Sequence, residues 1–259
     1  MKKVFERFQE IFKENVNTGA VEETEKIDYL VCMIKLVSSL SERFGYISKE
    51  GNNLVLFGMQ IILPNISSSV ALLEYPNLSK KYYFLLSQLS CNPDIAALLP
   101  PTHFQSFLHS ITYGLEFYQE DATFSSFECL KLLLNHLTFS SDSPLSRHFP
   151  PTVIQDLLKL LFQLMIYKEL RSDCFEIAAT CLLSAIVLNK QYYQQLVSFI
   201  INSNPSESDK ISTYFTQLTD SVVFEGRDYL SIENVLKFQA NTRLFLLRIR
   251  PIMRSSPLK

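Results

Sequence analysis

The chain has 259 residues, of which 47% are hydrophobic and 19% are charged, a composition typical of folded globular proteins. Glycine is scarce, with 6 in the whole chain, and no period-two alternation between Asn-Gly or Asp-Gly turns indicates a sheet, so an all-α fold is predicted. The formal net charge of −2 provides no basic excess for phosphate backbones, and nucleic acid is not expected as a partner.

The cysteines and the hydropathy pattern indicate a reducing, aqueous compartment. The 5 cysteines are scattered without a CxxC pair, so we expect reduced, buried thiols rather than disulfides or a zinc site. The N-terminus interrupts its apolar residues with charged ones, unlike a signal peptide. The longest apolar run, 153–167, is interrupted by polar residues and falls short of the ~20 apolar residues of a membrane span. We therefore expect a soluble protein of the cytosol or nucleus, without membrane insertion.

The first quarter of the chain predicts three helices. Apolar residues at helical spacing predict a short helix over Val4–Phe12 with a partly exposed apolar face, and a long helix over Glu22–Phe44 with acidic residues in its first turns. An apolar segment, 53–63, predicts a buried helix that ends before Pro64. Residues 67–73 fit either a helical turn or a loop.

The segment from Leu78 to Leu137 predicts three amphipathic helices with short connections. Apolar residues recur at spacings of three and four over 78–89, over 104–118 and over 124–137. Thr102, which follows two prolines, is predicted as the N-cap of the second helix. Because only a short connection separates the second helix from the third, the two are predicted to pack as an antiparallel hairpin.

The C-terminal half continues the same plan. A helix that is apolar nearly all round opens at Pro151, and Asp173 is predicted to cap the next one. A last long helix is predicted from about Ser231 to Arg250, where Pro251 ends it, and 254–259 is predicted to be a frayed tail. Between them, another helix is predicted to bury one face, made up of Tyr192, Leu196, Phe199 and Ile200.

Two segments of the chain are internally similar. PPTHFQSFLHSI begins at Pro100 and PPTVIQDLLKLL begins at Pro150, a separation slightly longer than the ~40 to 47 residues of a HEAT repeat. The sequence therefore predicts an α-solenoid of HEAT-like antiparallel helix hairpins, forming a single domain over 1–259. We interpret it as the C-terminal part of a longer superhelix. In such a fold, function is expected in the extended surface rather than in a pocket.

No catalytic residue, cofactor or metal site is predicted, and the chain is not expected to be an enzyme. The acidic residues at 22, 23, 25 and 28 lie in the first turns of a predicted helix, where the helix dipole favours carboxylates. The four histidines lie outside any HExxH or Ser/Cys-His motif and are interpreted as helix-end or surface residues. They are His103, His109, His136 and His148.

The tyrosine pairs Tyr82-Tyr83 and Tyr192-Tyr193 are also candidate binding residues. In each pair, one ring is predicted to point inward and the other toward a groove or solvent. Packing is favoured over partner binding for both pairs, because aromatic side chains dominate protein cores.

The last helix carries the one predicted partner-binding site. Arg243, Arg250 and Arg254 fall at offsets of 0, 7 and 11 and therefore share a helix face. We call these three residues the basic strip, a candidate for contact with an acidic partner surface. The helix dipole also favours cations near a C-terminus, which is the competing explanation.

The repeat segments resemble the C-terminal HEAT repeats of the large exportins of the importin-β superfamily. The resemblance is carried by KKYYFLLSQLSCNPDIAALLPPTHFQSFLHSITYGLEF, in which a Tyr-Tyr-x-Leu helix leads to a Leu-Pro-x-x-x-Phe-x-x-x-Leu helix. It continues through CLLSAIVLNKQYYQQLVSFIINSNPSESDKISTYFTQLT and the ending FQANTRLFLLRIRPIM. It extends from Asn77 to Met253 and is nearest to the exportin-4 group, on TQLTDS and on the Phe-Leu-x-x-x-Arg pattern, with the exportin-7 group next.

The resemblance implies a segment of a nuclear export receptor, in which HEAT repeats bind protein cargo together with GTP-bound Ran. In the exportin-4 group it implies the hypusine-bearing translation factor as one cargo, and contact with nuclear pore proteins is a further expectation. Full exportins are several times longer, and the repeats that hold their main Ran contact have no counterpart here. The chain alone is therefore expected to bind Ran weakly or not at all. A HEAT-repeat interaction scaffold unrelated to Ran is the alternative left open.

Overall fold

The structure is a computed structural model that describes residues 3, 5–7, 10, 23–44, 48–66, 71–116, 119–140, 142–226 and 228–255. Within these ranges all regular structure is helical, and no strand is present. The predicted all-α, HEAT-like fold class is confirmed. The chain divides into two compact units, Met1–Leu132 and Leu133–Lys259, which are described separately. The prediction of a single repeat domain over 1–259 stays a prediction.

Unit 1 consists of long helices joined by short connections and by two one-turn helices. Helix α1 packs against α2 and α4, and α2 also packs against α6, so the helices form a layered core. The helices are α1 (Glu23–Phe44), α2 (Lys49–Ile66), α3 (Ala71–Glu74), α4 (Pro76–Ser90), α5 (Pro93–Ala96), α6 (Pro101–Glu116) and the first part of α7 (Glu120–Phe139).

The predicted apolar faces of α4 and α6 form the centre of unit 1. On α4 the residues at helical spacing are all buried, as are most of those on α6, where Leu108 is half-buried. The helical period therefore identified the inward face of each helix correctly. The buried residues are Leu78, Tyr82, Leu85, Leu86 and Leu89 on α4, and Phe104, Phe107, Ile111 and Leu115 on α6.

Gly114 allows α6 and α7 to approach closely. A Cβ atom at this position would overlap the Oγ atom of Ser126 on α7 and the ring of Tyr83 on α4. Because a real Cβ does not tolerate such distances, three helices meet at a point where only glycine fits.

Two prolines lie inside helices that they were predicted to terminate. Helix α2 continues through Pro64 to Ile66, where the Asn65 side-chain amide donates to the Ile61 carbonyl at 2.6 Å. That bond satisfies a carbonyl group next to the break in the helical ladder, and Ile66 is buried. A proline in the last turn removes only one backbone hydrogen bond, so the burial of the residue beyond it outweighs the loss.

Other predictions at helix ends were also wrong. Thr102 lies inside α6, which begins at Pro101, and is therefore not the N-cap. Asp173 lies in the first turn of its helix, which begins at Ser172. There the Asp173 carboxylate accepts from the backbone N–H of Cys174 at 2.8 Å and from Arg171 Nε at 2.7 Å. Both residues lie in the first turn, two positions after the residue that precedes the helix.

The N-terminal and cysteine predictions are partly corrected. In the predicted Val4–Phe12 helix, Phe5 is buried edge-on to Phe57, with ring centroids 6.0 Å apart, so the predicted exposed apolar face is not found at Phe5. Phe8 and Phe12 lie outside the described residues.

Three cysteines, at 129, 174 and 181, are buried as predicted, whereas those at 32 and 91 are exposed. In the segment 67–73, predicted as a helical turn or a loop, residues 71–73 are helical and 67–70 lie outside the described residues.

Unit 2 contains the end of α7, four helices of 12 to 17 residues, and one of 24 residues. Helix α9 packs against both α8 and α12, and α12 also packs against α11. The four shorter helices are α8 (Pro151–Tyr167), α9 (Ser172–Leu188), α10 (Lys190–Asn202) and α11 (Ser208–Thr219). The longest is α12 (Ile232–Ser255), and 3₁₀ turns occupy Pro144–His148, Pro205–Glu207 and Asp228–Leu230.

The sequence predicted α12 to end at Arg250, but it continues through Pro251 to Ser255. Ile249 and Met253 are buried on the same face, so the last turn is held by packing despite the proline. Within the predicted frayed tail, Arg254 and Ser255 are therefore helical, and 256–259 lie outside the described residues.

A buried asparagine fixes the connection between α11 and α12. The Asn234 carbonyl Oδ1 accepts from Val223 N at 2.7 Å, while Nδ2 donates to Val223 O at 3.0 Å and to Tyr229 O at 2.8 Å. One side chain thus satisfies three backbone groups of a segment that has no ladder of its own. The connection is held against the first turn of α12.

Candidate protein-interaction surfaces

The structure gives two members of the basic strip contacts inside unit 2. Arg243 pairs with Glu176 at 3.1 Å, and its guanidinium lies 4.8 Å from the centroid of the Phe175 ring. Both charged side chains are half-exposed, so the pair contributes little to stability. Arg254 is exposed near the end of α12.

Arg250 is turned toward the C-terminal end of α8. Its Nη2 atom donates to the Met165 carbonyl at 2.7 Å and to the Lys168 carbonyl at 3.2 Å, and its Nε atom also donates to Met165 at 3.2 Å. Burial, with the nearby Arg254 charge, lowers the pKa of Arg250, while Glu169 raises it. The guanidinium supplies donors to helix-end carbonyls that have no intrahelical partner. The role of the strip in partner binding stays a prediction.

The tyrosine pairs differ from each other. Tyr82 and Tyr83 are both buried, so the prediction of one outward ring was wrong for this pair. Their hydroxyl groups meet Ser110, with Tyr82 Oη 2.6 Å from Ser110 Oγ and Tyr83 donating to the Ser110 carbonyl at 3.3 Å. Burial raises the pKa of both phenols. A serine on the neighbouring helix therefore allows a second tyrosine to be buried.

The second pair has one inward ring and one that faces a groove, as predicted, but the inward ring is that of Tyr193, whereas the predicted buried face contained Tyr192. Tyr193 is buried and stacks on Phe162 at a centroid distance of 6.1 Å, whereas Tyr192 is half-buried. The Lys159 ammonium lies 5.7 Å from the centroid of the Tyr192 ring. Tyr192 therefore presents its ring to a groove beside α8.

That groove is an apolar cleft of about 520 Å³ between α8, α10 and the end of α12. Phe199, predicted to be buried, is 59% exposed at its rim, because Tyr193 occupies the inward position of α10 instead. Lys159 is the one charged residue among those described as lining it. The cleft is lined by Lys159, Phe162, Gln163, Ile166, Tyr167, Tyr192, Gln195, Leu196, Phe199, Ile200 and Met253.

A second cleft of about 450 Å³ lies between the start of α8 and the end of α9. Its described lining is uncharged and includes Gln155, Asn189 and Gln191. His136, on α7, contacts Ser143 Oγ at 2.9 Å, but that hydroxyl also accepts from Leu145 N as the cap of a 3₁₀ turn. The His–Ser contact therefore belongs to a turn rather than to a nucleophile. Among the described residues, no group of three or more His, Cys, Asp or Glu side chains could hold a metal ion.

The outer face of α12 is an apolar surface that the sequence reasoning missed. Its side chains recur at steps of three or four residues and are all exposed, with Ile232 at 79% and Leu247 at 73%. The core-facing side, which includes Phe238, Phe245 and Ile249, lies opposite. We call this surface the apolar stripe: Ile232, Leu236, Ala240, Leu244, Leu247 and Pro251. Helical spacing of these residues was the available signal.

No single helix in the described part of the chain is long and apolar enough to cross a membrane. The helices Ser172–Leu188 and Lys190–Asn202 meet at a bend of 109°. Only when they are taken together do they have the length and apolar composition of a broken membrane span.

Comparison with known proteins gives matches of low identity that extend over most of the chain. Human Ran-binding protein 17 is 28% identical over 254 residues, covering 87% of this chain and 22% of the relative. Exportin-7-B of Xenopus laevis is 27% identical over 203 residues, covering 71% of this chain and 18% of the relative. No protein-family model matches, and no solved structure gives a significant match. The chain is thus similar, over most of its own length, to about a fifth of a Ran-binding protein and of an exportin.

Proposed function

We propose that the chain is a segment of a nuclear transport receptor of the exportin kind, which contributes helical surface for protein cargo or for closure of a superhelix. The observation that carries the proposal is the alignment with Ran-binding protein 17 through 87% of the chain. A match of that extent includes both compact units rather than one shared motif. The exportin-7 match supports export as the direction of transport.

The surfaces described above suit protein binding. The larger cleft is apolar and open, and exposed apolar side chains occur on α10 and α12. Protein partners bind to such patches, whereas catalysis needs convergent titratable groups. We therefore propose a binding protein and not an enzyme.

The more specific proposals follow the resemblance to exportins. We propose Ran-GTP-dependent export of protein cargo by a receptor related to the exportin-4 group, with the hypusine-bearing translation factor as one cargo. We also propose contact with nuclear pore proteins and residence in both nucleus and cytoplasm. The chain alone is proposed to bind Ran weakly, because it spans about a fifth of the relatives' length. Any contact it makes should be electrostatic and pass through the basic strip.

The test is a chimera. The part of Xenopus exportin-7-B that aligns with the chain is replaced by the chain itself, and binding to Ran loaded with GTP or GDP is measured beside export of an exportin-7 cargo from nuclei of permeabilised cells. We expect GTP-selective binding and export at a substantial fraction of the parent rate. The control is exportin-7-B with the aligned part deleted.

If a folded chimera binds Ran-GTP and exports cargo no better than the deletion variant, the transport proposal is overturned and a scaffold unrelated to Ran is favoured. In parallel, the isolated chain is mixed with Ran-GTP at two salt concentrations. Residual binding should weaken at high salt, as the Debye length falls from ~10 Å at 0.1 M to ~3 Å at 1 M. It should weaken again in the variant with Arg243, Arg250 and Arg254 changed to Ala.

A further inference from the structure

We propose that the apolar stripe of α12 is a docking face for an acidic amphipathic helix of a partner protein. This inference goes beyond the transport proposal and does not depend on it. It is carried by the shape of the stripe, by its charge, and by the contacts that hold Arg243 and Arg248 in place.

The shape of the stripe fits a helix. Its six side chains run from Ile232 to Pro251 along one face of a continuous helix, a length of about 28 Å at 1.5 Å per residue. Steps of three and four residues produce the ridges and grooves into which the side chains of a second helix pack. A partner helix of about five turns would match the full length.

The charge of α12 selects the sign of the partner. Between Lys237 and Arg254 the helix carries five lysines and arginines and no aspartate or glutamate. Lys237 and Arg248 follow one edge of the stripe, while Arg243 and Arg254 follow the other. A partner helix with carboxylates on both sides of its apolar face would meet cations along both edges.

The same charges argue against a second copy of this chain. Two copies joined through the stripe would bring the cations of one α12 against those of the other, a like-charge arrangement that disfavours association. Glu233, in the first turn, is the single carboxylate on the helix to offset them.

An anionic membrane would share the attraction but fits the contacts less well. Arg243 is held by Glu176 and Phe175, and Arg248 contacts Gln217 and lies 5.7 Å from the centroid of the Tyr214 ring. Cations held against their own protein present a fixed pattern, as a folded partner requires. Helices that bind membranes instead use long basic side chains that reach freely toward headgroups.

The experiment uses the full chain and a designed fluorescent peptide of about three heptads, with leucines on one face and glutamates along both edges. A second peptide replaces every glutamate with lysine. Fluorescence anisotropy should show saturable binding of the glutamate peptide and at least about tenfold weaker binding of the lysine peptide. The double variant Leu236→Ala, Leu247→Ala should weaken the binding about tenfold or more, because two exposed anchors are lost.

Matched variants separate the stripe from general stickiness. Leu98→Ala, at a leucine of unit 1 that is 60% exposed, should leave peptide binding unchanged. Reversing two edge charges, with Lys237→Glu and Arg254→Glu, should weaken binding of the glutamate peptide and strengthen binding of the lysine peptide. Far-UV circular dichroism and thermal melting establish that each variant is folded before its affinity is compared.

Three results would overturn the proposal. The first is equal affinity for both peptides, and the second is binding that survives loss of both leucines in a folded protein. The third is a different occupant of the stripe, seen as cosedimentation with phosphatidylserine vesicles or as self-association in analytical ultracentrifugation that disappears with the two leucines, while the glutamate peptide does not bind.

Discussion

Arg250 and Met165 lie 85 positions apart in the sequence, yet the guanidinium of Arg250 donates to the Met165 carbonyl at 2.7 Å. A second bond from the same nitrogen reaches Lys168, so one side chain of α12 completes the end of α8. The contact explains why an arginine that shares a helix face with Arg254 is half-buried while Arg254 is exposed.

Removal of this arginine should destabilise unit 2. Arg250→Ala leaves the helix-end carbonyls of α8 without their donors, and we expect a loss of about 2 kcal/mol in the free energy of unfolding. Arg250→Lys should recover only part of it, because one ammonium does not reproduce the fork of donors. Urea denaturation measures the loss, with Arg254→Ala as the exposed control, expected within about 0.5 kcal/mol of the parent.

Gly114→Ala should destabilise unit 1 by about 1 to 3 kcal/mol, because the added methyl group overlaps Ser126 and Tyr83. Adding Ser126→Ala should restore part of the loss, since it removes one of the two overlapping neighbours. The comparison is Gly226→Ala, where φ is +76° and the space is open, so its cost comes from backbone strain alone and Ser126→Ala should not relieve it. If a double-mutant cycle shows no coupling energy between Gly114→Ala and Ser126→Ala, the close approach of the two helices is contradicted.

Asn234→Ala should cost about 2 kcal/mol or more, because three backbone groups of the α11–α12 connection lose their partner. Asn234→Asp keeps the acceptor but loses both donations, and we expect it to be no better than alanine. Limited proteolysis should detect faster cleavage between Asp220 and Ser231 in both variants. If a destabilised variant is cleaved no faster in this connection, the loss of stability does not come from the three hydrogen bonds of Asn234.

The buried phenols predict a loss of stability in alkali. Burial raises the pKa of Tyr82 and Tyr83 in the folded state, so their stabilising contribution is fully present below the unfolded pKa of about 10. It is lost as the pH rises above that value toward the folded pKa, since the unfolded chain releases these protons first. Melting temperatures between pH 8 and pH 11 should fall, and Tyr82→Phe should reduce the slope.

Thiol reactivity should follow burial. Cys32 and Cys91 are exposed, whereas Cys129 is buried, and burial raises its pKa to about 12. Ellman's reagent should therefore modify two thiols rapidly in the native protein, because the thiolate is the reactive form. The remaining three should react only on unfolding. Rapid reaction of Cys129, identified by mass spectrometry, would contradict its burial.

Sequence reasoning succeeded where a helix has a strong apolar period and failed where tertiary contacts override a local rule. Leu78, Leu85 and Phe107 were placed correctly, because the apolar residues at helical spacing identify the buried face where only one face of the helix is strongly apolar. Pro64 and Pro251 were read as helix ends, but buried residues beyond each proline extend the helix. Propensity is a weak rule where packing competes with it.

The candidate surfaces were harder to predict, for a related reason. Spacing put Arg243 and Arg250 on one face, but only the position of α8 shows that Arg250 is used inside the unit. The apolar stripe escaped notice because Leu236 and Leu247 have the same helical spacing as core residues. A helix with apolar residues on two faces does not reveal from its sequence which face is covered.

The helix α9 is buried between α8 and α12, and eleven of its residues are buried, from Cys174 to Ile186. Its amide protons can exchange with solvent only when the surrounding helices separate, so this helix should show the slowest hydrogen exchange in unit 2. Because the residues of α12 that contact α9 lie 59 to 67 positions further along the chain, α9 becomes enclosed only when α12 docks. A helix synthesised later therefore completes the folding of a segment synthesised well before it.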